Sequence, residues 1–270
     1  MAKILLSLQK ATAILVGGIR HDPVVLILYI LSFFTGTKPV TLKALSQADL
    51  LLALGAGKSL IRFGDGEVMI ATGRSIRFQT YSKELAYGLK HIIADYRNDS
   101  PYVVGSLLQE LQESDAVLRA KNRLRVWRLL RIFVRLRFNL EPAYFSAVLF
   151  YHKNVFKRDI APLFRDRHII CVTRAGTMNA PFRRYMETQF REASFIVSPD
   201  KNAFAVKDRL MSEIDTAIAE HPSLKPVLVL AAGPASKIIT YIYATRGVQA
   251  LDIGHGIEII ASDADYSDRI

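Results

Sequence analysis

Short apolar runs alternate with longer segments of helical periodicity from residue 43 onward, and this alternation constrains the fold more than any other feature of the sequence. Such runs are typical of strands that are buried on both faces, and the segments between them are long enough for helices that cross over a sheet. The pattern predicts an α/β fold with a largely parallel sheet flanked by helices. The predicted strands lie near residues 59–63, 102–105, 168–172, 194–197, 226–231 and 249–253, and helices are predicted over 82–94, 178–190, 203–220 and 236–246.

Polar residues and glycines gather where these predicted strands end. In open α/β sheets, ligands bind outside the carboxyl ends of the strands. Five loops are therefore expected to converge on one pocket, and they cover residues 64–67, 173–177, 198–202, 233–234 and 252–255.

The first of these loops places two carboxylates, Asp65 and Glu67, beside the glycines Gly64 and Gly66. The glycines allow a tight turn and a close approach to a phosphate. On an extended segment the two-residue spacing points both carboxylates the same way, and paired hard oxygens suit Mg²⁺ or Mn²⁺ beside a diphosphate. The alternative is a β-turn with solvated acids, because Asp-Gly is a common turn dipeptide.

The loop at Gly233-Pro234 leads from a predicted strand into a helix that carries Ser236 and Lys237. Exposed N–H groups at a helix start attract phosphate, and these two side chains would supplement them. An ordinary connection between a strand and a helix is the equal alternative. The loop at Gly233-Pro234 is not a Walker A loop, because the residue spacing of that motif is absent.

Two further loops offer side chains for chemistry or binding. Asp252 and His255 follow the last strand, and an imidazole can act as a metal ligand, a phosphate donor or a general base. Thr173 and Arg174 form a donor-rich loop that suits a phosphate or a sugar. Asn202 offers an amide contact.

Two residues flank the acidic loop. Arg62 is predicted to alternate with Phe63 across its strand, so that it reaches a carboxylate or a phosphate. Gln79 follows the loop downstream.

The composition is typical of a folded protein, and Lys and Arg outnumber Asp and Glu. The net charge of +11 favours anionic partners such as nucleotide diphosphates or phospholipid surfaces. A single cysteine, Cys171, excludes an intramolecular disulfide and lies in an apolar run, which predicts a buried strand thiol and a cytoplasmic location. Residues 24–34 are too few to span a bilayer, so a packed helix is predicted there, with an interfacial anchor as the alternative.

The segment 119–137 contains eight Lys or Arg residues and no acid. Several of them recur at helical spacing, which is consistent either with binding to an anionic membrane surface or with a solvated helix face. No nucleic-acid motif accompanies them, so nucleic acid is not a predicted partner.

Taken together, these motifs resemble one family. The residues that carry the resemblance are 62–67, Gly73, Phe78-Gln79, 232–235 and 251–255, and it extends over about residues 59–258. The chain resembles the GT-D fold glycosyltransferases, whose sheet is Rossmann-like. In that family a D-x-E motif binds a divalent metal and the diphosphate of a nucleotide sugar, which implies these roles for Asp65 and Glu67. The residues near 106–159 and the apolar residues 1–42 depart from the family pattern, so they are interpreted as a basic helical insertion and an N-terminal helical extension of a domain over 43–270.

The resemblance implies a metal-dependent glycosyltransferase that moves a hexose from a UDP-sugar to a hydroxyl of a glycan, a glycoprotein or a lipid-linked saccharide. The cofactor is expected to be Mn²⁺ or Mg²⁺, and the protein is expected in the cytoplasm or peripherally on the inner face of the membrane. The alternatives are a nucleotide-sugar or phosphate-ester hydrolase and a non-enzymatic basic protein of the membrane surface. Predicted metal ligands are Asp65 and Glu67, predicted catalytic residues are Asp252 and His255, and predicted donor-binding residues are Arg62, Gly64, Gly66, Gln79, Thr173, Arg174, Asn202, Gly233 and Pro234.

Overall fold

The structure is a computed structural model, and it describes residues 22–148 and 155–262. Parts of three predicted regions lie outside the described residues. They are residues 1–21 of the N-terminal extension, residues 149–154 of the basic insertion and residues 263–270 at the end of the domain.

Within the described ranges, seven strands form one parallel sheet in the order β3-β2-β1-β7-β6-β4-β5. All six predicted strands are confirmed. The seventh, β3, is only two residues long, which is too short to produce an apolar run. The strands are β1 Ser59–Arg62, β2 Tyr102–Ser106, β3 Phe145–Ser146, β4 His168–Arg174, β5 Glu192–Ser198, β6 Pro226–Leu230 and β7 Gln249–Asp252.

Helices cover both faces of the sheet, and the four predicted ones are confirmed with shifted ends. The α-helices are Pro23–Thr35, Gln47–Gly55, Asp65–Ala71, Lys83–Asp95, Leu108–Gln112, Asp115–Ala120, Leu124–Arg137, Ala180–Gln189, Lys207–Glu220, Pro234–Thr245 and Gly256–Ser262. A π-helix covers Val155–Ile160, and 3₁₀ turns cover Ala161–Phe164, Ala175–Thr177 and Ala203–Val206.

Alternate residues of each strand enter two separate apolar cores, one on each face of the sheet. In β4, Ile170 enters one core while Cys171 enters the other, and both are fully buried. The prediction of a buried strand thiol is therefore confirmed, and burial raises the pKa of Cys171. Because neither face of the central strands meets water, the sequence shows continuous apolar runs rather than alternation.

The strand order changes direction between β1 and β7. From β1 the chain builds outward through β2 and β3, whereas the strand on the other side of β1 is β7, the last in sequence. Such a switch point leaves a crevice at the carboxyl ends, because the crossover helices on its two sides lie on opposite faces. The loops at Gly64 and Gly254 flank this crevice.

The N-terminal helix Pro23–Thr35 is packed against the domain. Asp22 caps its first turn and forms ion pairs with Lys90 and Arg137, at 3.1 and 2.8 Å. The Tyr29 hydroxyl donates a hydrogen bond to the carbonyl of Arg125. No helix in the described ranges is long and apolar enough to cross a membrane.

The basic segment forms the helix Leu124–Arg137, but two of its arginines are buried. Arg131 lies 2.7 Å from Asp115 and donates to the carbonyls of Leu111, Thr37 and Glu113. Arg128 lies 3.0 Å from the other oxygen of Asp115. For these two arginines both sequence interpretations, a solvated face and a membrane-binding face, are wrong. We call Asp115, Arg128 and Arg131 the anchor cluster, because it ties the helix to the preceding segments.

Candidate functional site

The five predicted loops converge on a cavity of about 260 Å³ at the carboxyl edge of the sheet. The predicted site residues on its wall are Arg62, Gly64, Asp65, Gly66, Glu67, Gln79, Thr173, Arg174, Gly233, Pro234 and His255. The prediction that these loops meet is confirmed. Further residues that the sequence did not assign to the site, including Leu107, Ala147 and Glu258, complete the wall.

The acidic loop after β1 is the start of a helix rather than an extended turn. The helix begins at Asp65, with Gly64 as its N-cap, and a carboxylate oxygen of Glu67 accepts the Gly64 N–H at 2.8 Å. Successive helical residues are rotated by about 100°, so residues two apart point about 200° apart. The expectation that both carboxylates point the same way is therefore wrong. Asp65 is exposed and Glu67 is buried.

Lys237 pairs with two carboxylates at the base of the cavity. Its ammonium lies 3.2 Å from Glu67 and 3.1 Å from Asp252. The backbone N–H of Arg62 donates to Asp252 at 3.1 Å, and the Arg62 guanidinium donates to the carbonyl of Ile253. We call Arg62, Glu67, Lys237 and Asp252 the site cluster.

Within the site cluster, electrostatic attraction favours the charged forms of Glu67 and Lys237. Burial alone would raise the pKa of Glu67 and lower that of Lys237. The pull of Lys237 and of the Gly64 N–H outweighs burial and holds the pKa of Glu67 below its usual value. In the same way, Asp252 and Glu67 hold the pKa of Lys237 above its usual value. For Asp252 burial dominates and raises the pKa, despite Lys237 and Arg62.

Two glycines in the site have backbone angles that favour glycine. Gly254 has a φ of +50°, and a Cβ on it would lie 2.9 Å from a guanidinium nitrogen of Arg62. Gly233 has a φ of +58° immediately before the helix Pro234–Thr245, and a Cβ there would touch the ring of Phe78. Small residues at these positions keep the chain close to Arg62 and Phe78.

The two predicted catalytic residues have different environments. Asp252 is fully buried and does not line the cavity, so its carboxylate positions Lys237 and the β1 backbone instead of facing a substrate. The side chain of His255 is 63% exposed on the wall, and its Nδ1 lies 3.5 Å from the carboxylate of Glu258. A catalytic role for His255 stays a prediction.

Gln79 and Asn202 join two loops at the side of the cavity. The amide oxygen of Asn202 accepts the Thr80 N–H at 2.7 Å, and that of Gln79 accepts the Phe204 N–H at 3.3 Å. Asn202 does not line the cavity, so its predicted amide contact is made to the protein itself. Gln79 does line it, although its amide is also bonded to the chain.

Thr173 and Arg174 both lie on the wall after β4. Thr173 is buried, and its hydroxyl has no hydrogen-bond partner among the residues that the structure describes. Arg174 is half exposed, and its guanidinium lies 2.5 Å from Glu258. These positions are compatible with the predicted phosphate or sugar contact.

Ser236 and Lys237 do not extend from the start of the helix Pro234–Thr245 as the phosphate interpretation expected. The Ser236 hydroxyl accepts the Ala232 N–H at 2.7 Å, and Lys237 points to Glu67 and Asp252. One signal was available in the sequence. Lys237 shares one side of its helix with Thr240 and Ala244, which are buried and uncharged, and a lysine buried on such a side needs a carboxylate partner.

The fit of a divalent cation can be tested on the two predicted ligands. The described part of the chain holds no group of three or more side chains suited to a metal ion. A cation bound beside a diphosphate needs only one or two carboxylates, because phosphate and water supply the rest. Asp65 fits this need, since it is exposed at a helix start and, within the described residues, its carboxylate accepts only the Gly66 N–H, at 2.9 Å. Glu67 fits less well, because Gly64 and Lys237 already occupy its oxygens.

A parallel α/β sheet whose carboxyl edge opens into a charged crevice at the switch point defines a ligand-binding protein of the doubly wound class. The chain belongs to the glycosyltransferase GT-D fold family, whose model matches residues 60–131 and 137–266. The match includes much of the segment 106–159 that was interpreted as an insertion. This membership also confirms the resemblance inferred from the motifs.

Individual relatives agree with the family. The chain is 27% identical over 231 residues to a protein of Streptococcus gordonii described as "Probable glycosyl transferase Gly". The chain spans only about 30% of the length of that relative.

Solved structures share the fold. One is a selenomethionine-substituted structure of domain of unknown function 1792, with 21% identity, a TM-score of 0.67, and coverage of 84% of this chain and 82% of the other. A second, from Streptococcus sanguinis and described as a new glycosyltransferase, has 21% identity, a TM-score of 0.65 and 85% coverage of both chains. At this identity the likeness shows the fold alone.

Proposed function

We propose that this protein transfers a hexose from a UDP-sugar to an acceptor hydroxyl, with the help of a divalent cation. The observation that carries the proposal is the exposed Asp65 at the mouth of a cavity whose base holds the cations Arg62 and Lys237. This arrangement supplies one carboxylate for a metal, and the helix start at Pro234 on the same wall supplies N–H groups for phosphate oxygens. Family membership supports a sugar nucleotide as the ligand.

Asp65 is the residue that would hold the cation, with Glu67 next to it. When bound, a divalent cation neutralises the charge that develops on the departing nucleoside diphosphate. Glu67 also closes the first turn of its own helix through the Gly64 N–H, so it stabilises the helix start that carries Asp65. Through Glu67, the site cluster thus supports the helix turn that carries Asp65.

Other wall residues are suited to the rest of the donor. The helix Pro234–Thr245 begins at the cavity, and its positive end favours phosphate. The Thr173 hydroxyl and the Arg174 guanidinium offer donors on the β4 side. The exposed imidazole of His255, beside the part-buried carboxylate of Glu258, would accept the proton of an acceptor hydroxyl.

The same pair would equally serve a water molecule, and this observation favours hydrolysis as the second candidate function. Product analysis separates the two. Purified protein is incubated with a panel of UDP-sugars and Mn²⁺, with and without saccharide acceptors. We expect UDP release coupled to a glycosylated product, and loss of both after chelation with recovery when Mn²⁺ returns. Free sugar released at the same rate with or without acceptor would contradict transfer and support the hydrolase.

The cytoplasmic location and the acceptor class stay predictions. A hydroxyl of a glycan, a glycoprotein or a lipid-linked saccharide is the acceptor chemistry that we propose.

A further inference from the structure

The outer face of the helix Pro23–Thr35 is apolar and exposed. Its inner face buries Val25, Tyr29 and Ser32 against the domain. The helix contains no charged residue, and its two remaining hydroxyls, of Ser32 and Thr35, donate to backbone carbonyls of the same helix. The exposed large side chains of the outer face are Val24 at 50%, Ile27 at 57%, Leu28 at 38%, Leu31 at 50% and Phe34 at 61%.

The apolar surface continues beyond this helix into an open groove of about 810 Å³. Leu28 and Leu31 form one side of the groove, and Ile132 and Leu136 of the neighbouring helix form the other. A continuous apolar surface of this extent on a soluble domain marks an interaction site.

The charges around this surface are positive or neutralised. Lys38 and Arg135 line the groove and are exposed. The one acid on the groove wall, Asp115, is paired with two arginines of the anchor cluster. Asp22 is buried and paired, and it is the only acid in the first 48 residues of the sequence. An apolar face with a basic rim complements a layer of anionic lipid headgroups.

We propose that the outer face of the helix Pro23–Thr35 lies in the interface of an anionic lipid bilayer. At 13 residues the helix is about 20 Å long, which is shorter than the hydrocarbon core, so it would lie along the surface. A second copy of this chain is a poorer occupant. A two-fold contact would bring two basic rims together, and the one acid on the groove wall, Asp115, is already paired with arginines of its own copy.

The position of this face suits a lipid-borne acceptor. The helix Leu124–Arg137 contacts the helix Pro23–Thr35 on one side and the helix Asp65–Ala71 on the other. Its residues Leu130 and Val134 line a small pocket together with Gly64 and Val68. The active-site turn is therefore one helix layer from the docking face. The acceptor class inferred here, a saccharide or alcohol on an anionic or neutral lipid in the docked bilayer, rests on the proposed function.

Vesicle flotation of the full chain tests the docking. Vesicles of phosphatidylcholine alone are compared with vesicles containing phosphatidylglycerol. We expect binding to the anionic vesicles, at least tenfold weaker binding to the neutral ones, and a further loss at high salt. The double variant Ile27→Asn with Leu31→Asn should lose at least tenfold in affinity, and Phe34→Asn should lose severalfold.

The matched control changes two exposed apolar residues elsewhere, Leu52→Asn with Tyr87→Asn, which are 71% and 74% exposed. This control should bind like the wild type. The proposed docking face would be wrong if the double variant bound vesicles as tightly as the wild type. It would also be wrong if the control lost as much affinity as the double variant. A wild-type dimer in sedimentation that becomes a monomer in the double variant would assign the face to a second copy instead.

A separate measurement distinguishes this inference from the proposed function. UDP binding by calorimetry should be unchanged in the double variant, because its substitutions lie outside the cavity. A protein that binds vesicles but transfers no sugar would contradict the proposed function and leave the docking face intact.

Discussion

The anchor cluster and the site cluster both contain buried charged side chains, and they use similar residues for different ends. In the anchor cluster Arg131 donates to backbone carbonyls of two chain segments, one at Thr37 and the other at Leu111 and Glu113. In the site cluster Lys237 forms ion pairs with the side chains of Glu67 and Asp252, at the base of a cavity. The first arrangement fixes the backbone, whereas the second holds side chains in position beside a ligand.

The largest effect is expected from Lys237→Met, which breaks the site cluster. Glu67 and Asp252 would remain buried without their cation, and removing one partner of a buried pair costs about 3–5 kcal/mol. Urea unfolding should show this loss, and UDP binding should disappear in the fraction that remains folded. The exposed Lys83→Met is the control and should change the free energy of unfolding by less than about 0.5 kcal/mol. Unchanged UDP affinity in folded Lys237→Met would show that the cluster does not shape the site.

Arg131→Met breaks the anchor cluster and should separate stability from function. Asp115 would lose its closest cation and three carbonyls would lose a donor, so we expect about 3 kcal/mol less unfolding free energy. UDP affinity per folded molecule should stay within twofold. The exposed Arg119→Met is the matched control. If Arg131→Met lowers UDP affinity as well as stability, the two clusters are coupled, and the claim that the anchor cluster serves stability alone is wrong.

A smaller effect is expected from Gly254→Ala. The positive φ costs about 1 kcal/mol for a residue with a Cβ, and the methyl group would also displace the Arg62 guanidinium. Gly57→Ala is the control, because Gly57 has a φ of +92° but no atom within 4 Å of the added carbon. Both variants should lose stability by thermal unfolding, Gly254→Ala more than Gly57→Ala, and only Gly254→Ala should weaken UDP binding.

An effect of comparable size concerns the N-terminal helix and depends on pH. Burial alone would raise the pKa of Asp22, but hydrogen bonds from Arg137 and Lys90 outweigh it and hold the pKa below its usual value. Such a carboxylate stabilises the fold above its unfolded pKa of about 4, and this contribution is lost as pH falls through the lower folded pKa. Asp22→Asn should therefore be about 1–2 kcal/mol less stable at pH 7. The difference should shrink below pH 4, and a difference that grows with acid would contradict the pairing.

The sequence predicted the sheet well because its central strands are buried on both faces. A run such as Ile169-Ile170-Cys171-Val172 is short and rich in β-branched residues, which favours a buried strand over a buried helix segment. The strand β3 was missed because two residues carry no periodicity, and the helix at Asp65 was missed because its glycines resemble a turn.

The site was predicted only in outline. The loops could be named because they follow the strands, and the parallel sheet brings those ends together. The pairing of Glu67 with Lys237 spans 170 positions and leaves no local pattern. For the same reason, no local pattern in the sequence indicated that Arg128 and Arg131 contact Asp115 and the backbone rather than solvent or lipid.

The most direct test of the account is the affinity for UDP with and without Mn²⁺, measured by calorimetry on the wild type and on Asp65→Asn. Asp208→Asn is the matched control, since Asp208 also lies in the first turn of a helix and its side chain is 89% exposed. We predict that Mn²⁺ strengthens UDP binding in the wild type and in the control. In Asp65→Asn this gain should fall at least tenfold, which equals about 1.4 kcal/mol. An equal Mn²⁺-dependent gain in Asp65→Asn, or no UDP binding by the wild type, would contradict the account.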